Sequence, residues 1–169
     1  MKTDTTEQII KQMVNMWASR NTAVTGFFNK YENEEAYFTE VAPGRNRAIY
    51  LLGHLIATND AMLPLLGLGE KLYPELEAPF SSNPDKAVED LPSLDTLKKQ
   101  WETLNARLMQ HFSTLSVSDW MARHTAVSEA DFAVDPQRNK LNVLINRTNH
   151  QSYHLGQLIL LTVKDLAAV

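Results

Sequence analysis

The sequence predicts an all-α fold: four long helices packed as a bundle in a single domain spanning residues 1–169. Three observations predict it. Four stretches repeat their apolar residues with the helical period. One of them is apolar over most of its circumference, so it must be covered on several sides. The chain of 169 residues suits one core, and a chain this long buries roughly 70% of the surface its unfolded form exposes.

The first helix is expected from about Asp4 to Tyr31. Ile10, Trp17, Val24 and Tyr31 recur every seven residues, and Met13, Val14, Phe27 and Phe28 fill the turns between. Asp4 and Glu7 have the spacing of a capping pair. A stripe of only three to four heptads fits packing inside a bundle better than a coiled coil. The second helix is expected from about Arg45 to Leu66, with Ile49, Tyr50, Leu51, Leu52, Leu55, Ile56 and Met62 around it. Pro64 should bend or tighten its last turn, and Gly67 and Gly69 should end it.

The stretch from Leu68 to Leu91 carries Pro74, Pro79 and Pro84 and has little periodicity. It is far longer than the usual link between antiparallel neighbours. It can run back along a helix, which implies an overhand crossover between parallel second and third helices. The third helix is expected from Ser93 to Leu115, on a stripe of Leu97, Trp101, Leu104, Leu108, His111 and Leu115. Ser116 and Asp119 have cap spacing for a short extra turn to Met121. Ala122–Asp135 reads as a loop with a small hairpin around Val127–Val134. The fourth helix is expected to take Asp135 as N-cap and Pro136 in its first turn, then to run to about Leu166.

Composition narrows the function classes. Sixteen Lys and Arg against 20 Asp and Glu leave a net charge of −4, which argues against a nucleic-acid partner held by phosphate neutralisation. There is no cysteine. Disulfides, thiolate zinc sites, iron–sulfur clusters and a cysteine nucleophile are all excluded. The N-terminal residues Met1-Lys2-Thr3-Asp4-Thr5-Thr6-Glu7 lack the apolar run of a secretion signal. The longest apolar stretches, Ala48–Ala57 and Leu158–Val163, are too short to span a bilayer. The expectation is a cytoplasmic protein with no membrane partner.

Of the five histidines, His150 and His154 carry the sharpest signal. At i, i+4 their Cβ atoms share a helix face about 5–6 Å apart, and two imidazoles so placed can converge on one ion. The spacing alone is common without a metal. It gains weight because the pair lies in a helix apolar on several sides, where unpaired polar groups are costly. Gly156 in the same helix points to a close approach by a backbone or ligand. His54, midway along the second helix, is the natural third ligand; alone it would read as a core histidine bound to a carbonyl. Three neutral imidazoles with one open position form the pattern of a catalytic zinc site, and bundles build such sites from facing helices.

Other residues near the histidines are weaker candidates. Gln151 stands where an H-E-x-x-H protease needs its glutamate base. Asn59 and Asp60 fall largely off the face of His54. Tyr50 and Tyr153 could aim hydroxyls at an ion, although core packing is the simpler reading of both. Gln157 lies one turn beyond His154 and could orient a ligand, touch substrate, or bond to another helix. His111 sits where a charged ring would complement a helix C-terminus; His124 reads as a solvated loop residue.

The segment His150-Gln151-Ser152-Tyr153-His154-Leu155-Gly156-Gln157 resembles the H-x-x-x-H-x-G-Q signature of the last helix in the DinB/YfiT-like superfamily. Leu51-Leu52-Gly53-His54-Leu55 resembles the single-histidine motif of that superfamily's second helix. The resemblance covers nearly the whole chain. It implies an up-down-down-up four-helix bundle, a divalent metal, often zinc or nickel, on His54, His150 and His154, and a homodimer. Characterised members include low-molecular-weight-thiol-dependent S-transferases and a mycothiol-dependent isomerase. Gln151 replaces a frequent glutamate and Tyr153 a frequent histidine, and neither change removes a ligand.

Three functions follow as expectations. In the first, a low-molecular-weight thiol bound to the ion attacks an electrophilic small molecule, with Gln157 and Tyr153 as substrate contacts. A divalent ion deprotonates a coordinating thiol, and a chain without cysteine must borrow its sulfur. In the second, metal-bound water acts as hydroxide in a hydrolase. In the third, the chain is a non-catalytic metal-binding bundle serving in stress response or interaction.

Overall fold

A computed structural model describes residues 5–161. It is all-helical. Seven α-helices occur in the described residues: α1 (Thr5–Phe28), α2 (Ala48–Asp60), α3 (Met62–Leu65), α4 (Leu94–Phe112), α5 (Val117–Met121), α6 (Glu129–Val134) and α7 (Lys140–Leu158). The long four pack in a closed circuit: α1 against α7 and α4, and α2 against α4 and α7. No helix in this span is long and apolar enough to cross a membrane.

The expected stripes form the core. Ile10, Trp17 and Val24 of α1 are buried, as are Leu97, Trp101, Leu104 and Leu108 of α4. Trp17 meets Phe112 edge to face, with ring centroids 5.1 Å apart. The Trp101 indole donates to Thr25 Oγ1 at 3.0 Å. Further along α1, Asn21 accepts from Gln151 of α7 at 2.6 Å, and Tyr31 beyond its end donates to the Leu161 carbonyl at 3.1 Å. The proposed capping role of Asp4 lies outside the described residues.

Every residue of α2 except His54 and Thr58 is buried. The helix starts at Ala48 rather than Arg45 because Arg47 is held extended as its N-cap. It breaks after Asp60, four residues before Pro64, where the proline ring would meet the Asp60 carbonyl. The α3 turn then closes with Gly67 at φ +69°. Leu68 N donates to Leu63 O at 2.8 Å and Gly67 N to Pro64 O at 3.1 Å, the paired bonds of a Schellman ending.

The long connection after α3 is an ordered strap that follows α2 in reverse. It contains a 3-10 turn at Pro74–Leu76 and a π-helical turn at Ala78–Ser82. The Asp60 carboxylate accepts from the backbone N–H groups of Leu72 and Tyr73, both at 2.8 Å. His54 meets the Phe80 carbonyl. One turn earlier, Tyr50 donates to Asn83 O at 2.7 Å. At the start of α2, Arg47 grips Asp85 through its backbone N–H and two guanidinium nitrogens, at 2.7–2.9 Å. As residue numbers fall along α2, the partners rise along the strap.

The expected start of the fourth helix is corrected. Asp135 caps the C-terminus of α6, and its carboxylate accepts from Gln137 N at 3.1 Å. The next residues are drawn toward the preceding loop by Lys140 N donating to Ala122 O at 3.0 Å. The helix therefore begins at Lys140, with Asn139 Oδ1 accepting from Asn142 N at 2.9 Å. The expected hairpin at Val127–Val134 is instead α6, capped by Ser128, whose hydroxyl accepts from Asp131 N at 3.1 Å. The helix α7 ends at Leu158 with Ile159 as C-cap, so the expected continuation fails at 159–161; the rest of it, to Leu166, lies outside the described residues. Elsewhere α4 starts at the expected place, with the Ser93 hydroxyl as its N-cap, and the expected Ser116–Asp119 cap is a full capping box on α5.

Two glycines behave oppositely. A Cβ on Gly53 would lie 2.4 Å from the buried Phe80 ring, whereas one on Gly156 would meet nothing within 4 Å. Gly156 is exposed, so the close approach expected there is found at Gly53 instead. Gly53→Ala should lower stability by about 1–3 kcal/mol through overpacking. Gly156→Ala should raise it by up to about 1 kcal/mol through helix propensity. Urea unfolding of both variants checks the opposite signs.

Candidate metal centre

His54 of α2 and His150 and His154 of α7 converge, and each offers a nitrogen within 4.8 Å of the others. His150 Nε2 lies 3.1 Å from His54 Nε2 and 3.0 Å from His154 Nε2. All three rings are half-buried or buried.

The outer nitrogens decide the protonation. His54 Nδ1 is 2.7 Å from the Phe80 carbonyl oxygen, which can only accept. That nitrogen therefore carries the hydrogen, and a neutral His54 presents a bare lone pair at Nε2. His154 Nδ1 is 2.7 Å from Gln157 Oε1, while Gln157 Nε2 donates to the Tyr153 hydroxyl at 3.2 Å. With the amide so oriented, His154 also presents a bare Nε2. Two lone pairs thus face the Nε2 of His150, which has at most one hydrogen to share.

Adding protons is resisted as well. Burial lowers the pKa of His54 and His154 below the ordinary histidine value. His150 is lowered to about 4, first by burial and then by the neighbouring His154 and His54. A cation placed among the three Nε2 atoms removes the conflict. Nitrogens bound tetrahedrally at ~2.0–2.1 Å stand roughly 3.3 Å apart, close to the separations seen. The Nδ1–H···O=C bonds on His54 and His154 are the outer bonds that orient metal-ligating histidines. His150 Nδ1 is buried with no partner among the described residues. The cluster fits a divalent ion.

The other candidates are placed as follows. Gln151 is fully buried and turns to Asn21, so it supplies no group to the cluster. The Asp60 carboxylate is bound to the strap, and both polar side-chain atoms of the buried Asn59 lack partners among the described residues. Tyr50 stacks nearly parallel to His54, at 9°, with its hydroxyl on the strap. Tyr153 is 64% exposed, contrary to core packing, and its ring lies 5.0 Å from that of His154. Gln157 bonds within its own helix, to His154, rather than to another helix. His111 is half-buried on α4, and its Nε2 has no partner among the described residues. His124 is half-buried rather than solvated, which lowers its pKa.

Two residues escaped the sequence reading. Phe80, in a stretch without periodicity, supplies the carbonyl for His54. Arg147 stands one turn before His150, half-buried and with no ion-pair partner among the described residues. Burial lowers its pKa, and its charge in turn opposes protonation of His54 and His150. Its position at i−3 from His150 was the available signal.

A cavity of about 680 Å³ between α1, α4 and α5 contains none of the three histidines. A smaller one of about 130 Å³ adjoins the cluster at Gln157 and is lined also by Val41, Gly44, Arg45 and Asn46.

An all-helical chain with a histidine triad shared by two long helices belongs to a recognisable class of candidate metal proteins. The DinB superfamily profile matches residues 16–158, and the chain belongs to that superfamily. No curated protein matches it.

The low pKa values set a pH dependence for the metal-free protein. Between about pH 6.5 and 4 the unfolded chain takes up protons that the folded rings resist. Stability should therefore be full above about pH 6.5 and fall toward pH 4. Melting temperatures across this range, in chelator-treated buffer, should show that decline. His150→Gln should flatten it.

Proposed function

We propose that His54, His150 and His154 hold one divalent metal ion, zinc or nickel, and that the protein uses it for a low-molecular-weight-thiol-dependent S-transfer to an electrophilic small molecule. The observation that carries the reading is the convergence of three Nε2 atoms, two of them deprotonated by their outer hydrogen bonds.

When bound, such an ion supplies an acidified position at which a thiol is held as its nucleophilic thiolate. The chain's own residues set the geometry. His54 is fixed by the Phe80 carbonyl, and His154 by Gln157. The Tyr153 hydroxyl, exposed and tied to Gln157, can orient the incoming molecule. The chain has no cysteine, so the sulfur must come from a cosubstrate. Among the described residues no carboxylate joins the three rings. Thiolate attack needs no general base, whereas hydrolysis commonly relies on one; this favours the thiol over water.

The same reading includes an up-down-down-up bundle. Trp101–Thr25 and Phe112–Trp17 contacts, with numbers changing in opposite senses, support antiparallel α1 and α4. Asn21–Gln151 and Tyr31–Leu161 support parallel α1 and α7. It also includes a cytoplasmic homodimer, for which the exposed Ile159 and Leu160 offer apolar surface.

The purified protein should bind one equivalent of metal. At a hundred times its Kd the metal adds about 2.7 kcal/mol of stability, a rise in Tm of roughly 5–10 °C for a chain of this size. His54→Ala and His150→Ala should abolish both stoichiometric binding and the rise. The loaded protein should conjugate bacillithiol, mycothiol or glutathione to monochlorobimane. Metal binding without turnover on any thiol would leave a storage or interaction role and discard the transferase.

A further inference from the structure

We propose that Arg147 is the anion-recognition residue of this centre, and that the thiol it accepts carries a carboxylate. The inference rests on the thiol-dependent reading above and names the chemistry of the cosubstrate.

Arg147, His150 and His154 stand at i, i+3 and i+7 of α7 and share one face. The guanidinium is half-buried, yet none of its nitrogens is sealed from solvent without a partner. Of the seven arginines, Arg47, Arg123 and Arg138 have carboxylate partners; Arg20, Arg45, Arg107 and Arg147 have none among the described residues, and of these four only Arg147 stands on the histidine-bearing face of α7. Partly shielding a guanidinium that has no protein partner costs it some of its hydration. A ligand that supplies the missing anion offsets that cost.

The charge balance of the site points the same way. Among the described residues no carboxylate joins the cluster, while the charge of Arg147 bears on His54 and His150. With a divalent ion among neutral imidazoles, the described residues of the site supply three positive charges and no anion. A thiolate neutralises one. A carboxylate on the same molecule neutralises another, and the planar guanidinium can grip it with two parallel hydrogen bonds. Arg147 lies three residues, ~4.5 Å of helix rise, from the level of His150. That is within reach of a carboxylate a few bonds from a metal-bound sulfur.

The test uses the full chain loaded with Co²⁺, titrated with mercaptoacetate and with 2-mercaptoethanol, and reads the thiolate-to-cobalt absorbance. Wild type should prefer the carboxylate-bearing thiol. Arg147→Gln should reduce that preference roughly ten- to hundred-fold, and Arg147→Lys should retain part of it. Arg45→Gln, beside the adjoining cavity, should leave it unchanged. Co²⁺ affinity in Arg147→Gln should match or exceed wild type, which establishes an intact triad. A preference untouched by Arg147→Gln, or one that follows Arg45, overturns the proposal. If neither thiol binds, the thiol reading fails separately. Arg147 is then judged by succinate against butyrate, read from the cobalt visible spectrum: a wild-type preference for succinate lost in Arg147→Gln sustains anion recognition, and equal loss of nothing in both proteins ends it.

Discussion

The hydrogen bond from His54 to the Phe80 carbonyl sets the character of the centre. It fixes which ring nitrogen carries the proton, and so leaves the other as a lone pair aimed at α7. That carbonyl is in place because the Phe80 ring lies over Gly53, where any side chain would displace it. Asp60, Tyr50 and Arg47 then bind the strap on either side of this contact. A ring-to-helix approach of a kind only glycine permits thus governs the chemistry of a side chain in the next position.

The electrostatics of the cluster have one sign. Burial and mutual proximity disfavour protonation of the three imidazoles, and the charge of Arg147 adds to this at His54 and His150. Many metal centres include a carboxylate that offsets the ion's charge; here the acidic residue nearest in sequence to His54, Asp60, is committed to holding backbone N–H groups. The match to the DinB superfamily spans all three histidines. One turn before His150 it also spans the half-buried guanidinium of Arg147.

Much of the fold was legible because its signals are local. The Trp17 and Trp101 stripes, the Ser93 cap and the Ser116–Asp119 box each depend on residues a few positions apart. The triad was legible for the same reason on α7, where His150 and His154 are one turn apart, and His54 followed as the polar exception on an apolar helix. The failures are nonlocal or competitive. Asp135 and Pro136 have good helix-starting chemistry, but Asp135 ends α6 and the Lys140–Ala122 bond delays the next helix. The Ser128–Asp131 spacing was a readable cap that β-branched neighbours obscured. Gly156 looked like the site of close approach, yet only the path of the strap reveals that Gly53 is. Phe80 acts through its backbone, which leaves no trace in residue type.

The reversed path of the strap also bears on how the chain is made. Because α2 has almost no polar face, it would be a sticky object if it left the ribosome uncovered. The segment that wraps it is the next one synthesised, and Asp85 follows Asp60 after an interval on the order of a few seconds of translation. A cover encoded immediately downstream shields the nascent rod before α4 and α7, its other neighbours, exist. The order of segments along the gene product thereby doubles as a schedule against aggregation.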